Sequence, residues 1–317
     1  MTANNEDLHP ETRAYLQELV ESGARPFTEL TVAEAREAVT ARCRVSDQRL
    51  DYNFNGQRKE FIVDSPHDPA GVPLWVYTPT VLTADPAILV YFHGGGFTVG
   101  DRQAYDTCCK MMATESKCVV VNVEYRLSPE HKFPAVLEDA IVAVKWVKEN
   151  KEKIGGSSKS KVGVGGDSAG GTVSSSVAHD VTGLAFQILV YPCVNLTIPY
   201  PAYVECAEGY GLTTPVVNWY INHWLNNDAE KTDPRASPVL RQKFDHLPPA
   251  LFIVASHDPL RDDSRAYAKA LTDAGVKNET IYFDGVIHAF FNIPGYFREN
   301  CQKAYRRIAQ FIQENGY

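Results

Sequence analysis

Short, almost unbroken apolar runs, each ended by a turn and followed by a helical pattern, constrain this chain more than any other feature. The runs are EFIVD (60–64), PLWVYTP (73–79), AILVYF (87–92), CVVVNVEYR (118–126), KVGVGG (161–166), FQILVYP (186–192), ALFIVAS (250–256) and NETIYF (278–283). A strand that is apolar at successive positions is buried on both faces. Amphipathic stretches such as PAVLEDAIVAVKWVKEN (134–150) and RDDSRAYAKALTDAG (261–275) stand between them. The pattern therefore predicts an α/β fold: one domain over 1–317, with a mostly parallel central sheet and helices on both faces. Two segments break the alternation. The first, about 1–45, holds helical patterns at Pro10–Val20 and Thr31–Cys43, and Thr31 with Glu34 forms a capping box. The second, about 196–247, contains the aromatic helix LTTPVVNWYINHWL, starting near Thr214. Together they are expected to form a helical cap over one edge of the sheet, with Trp219, Tyr220 and Trp224 either lining a pocket or anchoring the cap.

The formal net charge of −8 argues against nucleic acid or an anionic membrane as the main partner. No apolar stretch approaches the roughly 18 residues of a membrane span. The first residues, MTANNEDLHPETR, have neither the basic start nor the apolar centre of a secretory signal. The expectation is a cytoplasmic protein without a membrane anchor. Its seven cysteines (43, 108, 109, 118, 193, 206, 301) lack C-x-x-C spacing and are expected to be reduced. The triplets Asn195-Leu196-Thr197 and Asn278-Glu279-Thr280 match the glycosylation pattern, and without a signal both are expected to be chance matches.

The chemistry concentrates where strands meet turns. After Lys161 a strand runs directly into a helix through Gly166-Asp167-Ser168-Ala169-Gly170. This G-x-S-x-G stretch suits a strained turn that exposes the serine oxygen, although Asp167 or Ser168 could also simply cap the helix. AILVYF ends in His93-Gly94-Gly95-Gly96. Three glycines in a row bring bare backbone N–H groups close to a ligand, and with the amide of Ala169 they could hold a developing oxyanion. A side chain at Gly95 is expected to occupy the anion's position. Neither glycine-rich stretch matches a nucleotide-binding loop. His288, in FDGVIHAFF, lies after the last strand and before the C-terminal helix, and Asp258 follows ALFIVAS. Ser168, Asp258 and His288 thus occur in the chain order of a nucleophile, an orienting acid and a base. Asp262 and Asp263 are rival acids, but their positions suit the first turn of a helix, where carboxylates are stabilising. His93 and His257 are read as loop-stabilising, and His257, Asp258 and Asp262 lack a metal-binding spacing.

HGGGF, YRLSPEHKFPA (125–135), GDSAGG, DPLRDD and IHAF, in that order, resemble the hormone-sensitive lipase family of α/β-hydrolase carboxylesterases. The resemblance implies an α/β-hydrolase fold with a cap and a triad of Ser168, Asp258 and His288. It implies an oxyanion hole from Gly95, Gly96 and Ala169, with Gly94 beside them. It also implies hydrolysis of small to medium acyl esters through an acyl-enzyme, with neither metal nor organic cofactor. An amidase or deacetylase of the same fold is the alternative, as is a ligand sensor that keeps the triad. Thr172 stands where the family often has asparagine, and the apolar N-terminal helix of membrane-anchored relatives is missing. A receptor of similar fold lacks the catalytic histidine, which is present here as His288.

Overall fold

The computed structural model describes residues 7–317. Its central strands alternate faithfully between two hydrophobic layers. In β3 (Ile88–Phe92), Ile88, Val90 and Phe92 face one core, and Leu89 and Tyr91 face the other. In β4 (Val119–Val123), Val119, Val121 and Val123 share the first core and Val120 the second. A strand with two apolar faces needs a cover on each, and the connecting helices supply it. On the first face lie α4 (Ala135–Glu149), α5 (Ala169–Asp180) and α8 (Arg261–Asp273); on the second lie α3 (Asp106–Ser116) and α9 (Arg298–Asn315).

The sheet also contains β1 (Gly56–Val63), β2 (Val72–Pro79), β5 (Val162–Asp167), β6 (Gln187–Val190), β7 (Ala250–His257) and β8 (Asn278–Ile287). Their order is β1-β2-β4-β3-β5-β6-β7-β8. Only β2 runs against its neighbours β1 and β4; the pairs from β4 through β8 are parallel. All parallel strands therefore present their C-terminal ends, including those of β5, β7 and β8, at one edge of the sheet.

Two strands outrun their sequence signals. β1 starts at Gly56 rather than Glu60, because its first residues pair along an exposed sheet edge where Arg58 and Lys59 leave no apolar trace. β8 continues past Phe283 to Ile287 by pairing with β7 across an irregularity at Ala255 and His257. Outside the alternation, α1 (Pro10–Glu21) and α2 (Val32–Gln48) precede β1. The capping box at Thr31 and Glu34 is formed, and α2 runs five residues beyond Cys43, burying Ala35, Val39, Cys43 and Ser46. Between β6 and β7 stand α6 (Ala202–Glu205) and α7 (Thr214–Trp224). Among the described residues no helix is long and apolar enough to cross a membrane. The polar start of the chain, residues 1–6, on which the signal-free expectation partly rests, lies outside the described residues.

Candidate active site

The turn from β5 to α5 carries Ser168 at φ 53°, ψ −120°, a conformation that L-residues rarely adopt. Packing holds it there. The Ser168 amide donates to the Val190 carbonyl at 2.8 Å, and its own carbonyl accepts from the Thr172 amide at 3.1 Å. The turn closes this tightly because its flanks are bare. A Cβ on Gly170 would stand 1.9 Å from the Phe92 carbonyl oxygen, and one on Gly166 would stand 2.4 Å from the Gly170 backbone.

β7 and β8 deliver the other two groups to the same edge. His288 Nε2 lies 2.9 Å from Ser168 Oγ, and His288 Nδ1 lies 2.7 Å from Asp258 Oδ2. A carboxylate only accepts, so Nδ1 carries the proton and the lone pair of Nε2 faces the serine hydroxyl. Asp258 is fully buried, and its second oxygen accepts from the Leu260 amide at 2.8 Å. The Tyr191 ring packs on the imidazole with centroids 4.4 Å apart.

After β3 the three glycines divide their work. The Gly94 amide is consumed: it points at Asp167 Oδ1, 3.0 Å away, and Tyr105 Oη, 3.1 Å away. The amides of Gly95, Gly96 and Ala169 donate to no protein group among the described residues, and all three residues border the same cavity as Ser168. Gly95 and Gly96 have φ of +115° and +57°. One expectation is corrected here. A Cβ at Gly95 would point at the Val99 carbonyl oxygen, 2.0 Å away, so a side chain there would break the loop before it could plug an anion's seat.

Sequence reasoning did not see what Asp167 does. Its carboxylate accepts from Tyr91 at 2.7 Å and Tyr105 at 2.9 Å as well as from Gly94, and so joins the serine turn to the glycine loop. Burial pushes this carboxyl up, against the hydrogen bonds from Tyr91 and Tyr105 that favour its charged form. The signal was present in the chain, since Asp167 is the residue before the serine, but its tyrosine partners are 76 and 62 positions away. His93 shapes the same loop: Nδ1 donates to the Gly94 carbonyl, and the ring stacks on Tyr125 at 4.2 Å. The His257 ring reaches its neighbour Ser256 and packs on Tyr210.

Asp262 and Asp263 lie in the first turn of α8, as expected, but they are committed elsewhere than to its dipole. Asp263 is buried and accepts from the amides of Val194 and Asn195, each at 2.9 Å; burial pushes it well up. Asp262 accepts from the Ala202 amide and pairs with Arg261 and Arg265, and these partners outweigh burial and hold it below the usual carboxylate range. Neither bonds His288. Thr172 donates to the Cys193 carbonyl at 2.6 Å, fastening α5 to the chain after β6. All seven cysteines are free and buried, and the Asn195 side chain, in the first glycosylation triplet, is buried against Tyr200.

The cavity above Ser168 measures about 1010 Å³ and is walled by α1, α2 and α7. The aromatics of α7 split between the two expected roles. Tyr220 borders the cavity and covers Gly96, whose Cβ would lie 2.1 Å from its ring. Trp224 is buried and stacks on Phe97 at 3.6 Å, and Trp219 packs edge-on against Phe27.

Comparison with known proteins gives concordant results. A family model described as alpha/beta hydrolase fold matches residues 89–292. Carboxylic ester hydrolase LipN of Mycobacterium tuberculosis is 36% identical over 236 residues, which cover 71% of this chain and 62% of that protein. Ethyl acetate hydrolase of Pseudomonas putida is 30% identical over 321 residues, covering 97% of this chain and 99% of that one. Among solved structures, the hyperthermophilic esterase from the archaeon Pyrobaculum calidifontis superposes with a TM-score of 0.90 at 32% identity, covering 97% of this chain and 98% of that one.

Proposed function

The chain belongs to the α/β-hydrolase fold family, in its hormone-sensitive lipase branch, as a serine carboxylic ester hydrolase, and from that premise we propose that Ser168, His288 and Asp258 perform the reaction. The observation that carries this reading is the unbroken relay from Ser168 Oγ through both imidazole nitrogens to buried Asp258, beside three unengaged amides.

Ser168 Oγ attacks the ester carbonyl carbon while Nε2 of His288 takes its proton. Asp258 stabilises the imidazolium and holds the ring in register. The carbonyl oxygen, now an anion, is received by the amides of Gly95, Gly96 and Ala169, each such donor contributing about 10²–10³ in rate. The tetrahedral centre collapses, the C–O bond to the alcohol breaks, and His288 returns its proton to the leaving oxygen. Water then repeats the sequence on the acyl-serine, releasing the acid and restoring Ser168.

The segments of about 1–45 and 196–247 act as the cap, α1, α2 and α7 bounding the space in which the ester sits. A cavity of this size suits small to medium acyl groups. The free cysteines agree with a reducing compartment such as the cytoplasm.

The test is hydrolysis of a p-nitrophenyl ester series from acetate to octanoate. The wild-type protein is expected to turn over the shorter esters. Ser168→Ala is expected to melt like wild type and to lose several orders of magnitude in kcat. Near-wild-type turnover by that variant would overturn the assignment.

A further inference from the structure

Among the described residues, one cation on the cavity wall has no acidic partner. Arg42 projects from α2 into the space above Ser168, where its one hydrogen bond among the described residues is a long one, Nη1 to Tyr15 Oη at 3.4 Å. Its Nε is buried without a partner among the described residues. The helix offers nothing closer: the positions a turn away on either side are Ala38, Val39, Val45 and Ser46, none of them acidic. The acids elsewhere on the wall are engaged. Glu18 pairs with Arg49, Glu34 with Arg25, and Asp167 with two tyrosines and Gly94; Glu37, also on α2, is exposed.

Guanidinium stays protonated at any ordinary pH, and an unpaired charge in an enclosed, largely apolar space is costly. A structural arginine is normally paired. This one is instead left open toward the space where substrate must lie, with a planar fork of donors that matches a carboxylate. Its place relative to the chemistry is also defined. Arg42, Tyr220, Gly96 and Ser168 border one cavity, and Tyr220 covers Gly96.

We propose that Arg42 is a specificity-determining residue that binds a carboxylate carried by the ester substrate, so that the preferred substrates are anionic esters, such as monoesters of short dicarboxylic acids. The proposal rests on the ester-hydrolase reading and adds to it a substrate class. The carboxylate binds the terminal Nη groups of Arg42, and the Tyr15 hydroxyl, beside Nη1, is placed to donate to it as well. The scissile carbonyl then reaches the amides of Gly95 and Gly96 through a short linker.

Two matched pairs of esters test this. Monophenyl glutarate against phenyl pentanoate places the carboxylate on the acyl side; 4-acetoxybutanoate against butyl acetate places it on the alcohol side. Each is assayed with wild type, Arg42→Met, Arg42→Gln and Arg42→Lys, with melting temperature as the folding control. The expected result is that, for one pair, Met and Gln lower kcat/KM for the anionic ester by about 10- to 100-fold and leave the neutral ester nearly unchanged. Lys should retain part of the preference, and melting should not fall. Equal losses for both members of a pair, with a lower melting temperature, would make Arg42 a structural residue and overturn the proposal. So would an anionic-to-neutral ratio that the substitutions do not move. If wild type hydrolyses none of the esters, the catalytic reading has failed on its own. Calorimetric binding of monophenyl glutarate and of 4-acetoxybutanoate to Ser168→Ala, with and without Arg42→Met, still decides: binding of either that depends on Arg42 supports the carboxylate site, and absence of binding by both, or indifference to Arg42, sinks it.

Discussion

At the scale of single residues, Asp258 and Asp262 are four positions apart and have opposite commitments. Asp258 faces the imidazole from a fully buried position; Asp262 faces two arginines and an amide. Asp258→Asn preserves shape but presents an amide that favours the wrong histidine tautomer, and kcat is expected to fall on the order of 10⁴. Asp262→Asn removes charge from the Arg261 and Arg265 contacts and should cost about 1–2 kcal/mol of stability, with most activity kept. Steady-state rates and urea unfolding of the two variants check both. Loss of activity in Asp262→Asn and its retention in Asp258→Asn would reverse the assignment of the orienting acid. Chain order made Asp258 legible in the sequence. The work of Asp262 and Asp263 was not, because the amides they bind, at Ala202 and at Val194 and Asn195, lie 60 or more positions away and leave no local pattern.

At the scale of elements, the glycine loop after β3 shows how one motif contains three separate constraints. A Cβ would strike the Asp167 carboxylate from Gly94, the Val99 carbonyl from Gly95 and the Tyr220 ring from Gly96. Backbone yields less readily than a side chain. Gly95→Ala is therefore expected to lower both melting temperature and kcat, whereas Gly96→Ala should lose activity with a smaller loss of stability and recover part of it when Tyr220 is also cut to Ala. Thermal melts and ester hydrolysis of the single and double variants measure this; a Gly95→Ala protein as stable as wild type would contradict the Val99 contact. Three glycines in sequence announced backbone close to something. What that something is for each differs, and it became readable only with α7 and β5 in place. The exposed start of β1 was illegible for a related reason: its stabilisation comes from ladder hydrogen bonds to β2 rather than from apolar burial.

For the molecule as a whole, the sheet was largely legible because buried parallel strands leave continuous apolar runs, while the walls of the cavity were not, because their anchors are polar and distant. Arg36 of α2 reaches the carbonyls of Thr98 and Ser128 and pairs with Glu130, and Glu11 of α1 accepts from the amides of Glu299 and Asn300. These bonds tie α1 and α2 to the body of the fold. Global stability should also depend on pH through a group far from catalysis. Burial, with Arg241 and His246 adding to it, lowers the pKa of His179 to about 3, and its Nε2 stands 3.0 Å from the Tyr267 hydroxyl. The unfolded chain takes up a proton near the ordinary histidine value of about 6.5, and the folded one does not until about pH 3. Stability from this group is thus complete above pH of about 6.5 and declines as pH falls toward 3. His179→Gln should flatten the decline in melting temperature between pH 7 and 4; an unchanged slope would assign the acid sensitivity to other groups.

The central claim is that Ser168 is the activated nucleophile, and covalent labelling tests it most directly. Wild-type protein treated with diethyl p-nitrophenyl phosphate and mapped by peptide mass spectrometry should lose ester hydrolysis in step with the appearance of one diethylphosphoryl group on Ser168, with none on Ser174, Ser175 or Ser176. His288→Ala should label far more slowly. An active protein that is inhibited with the adduct on another residue, or that keeps full activity while Ser168 is modified, would contradict the account.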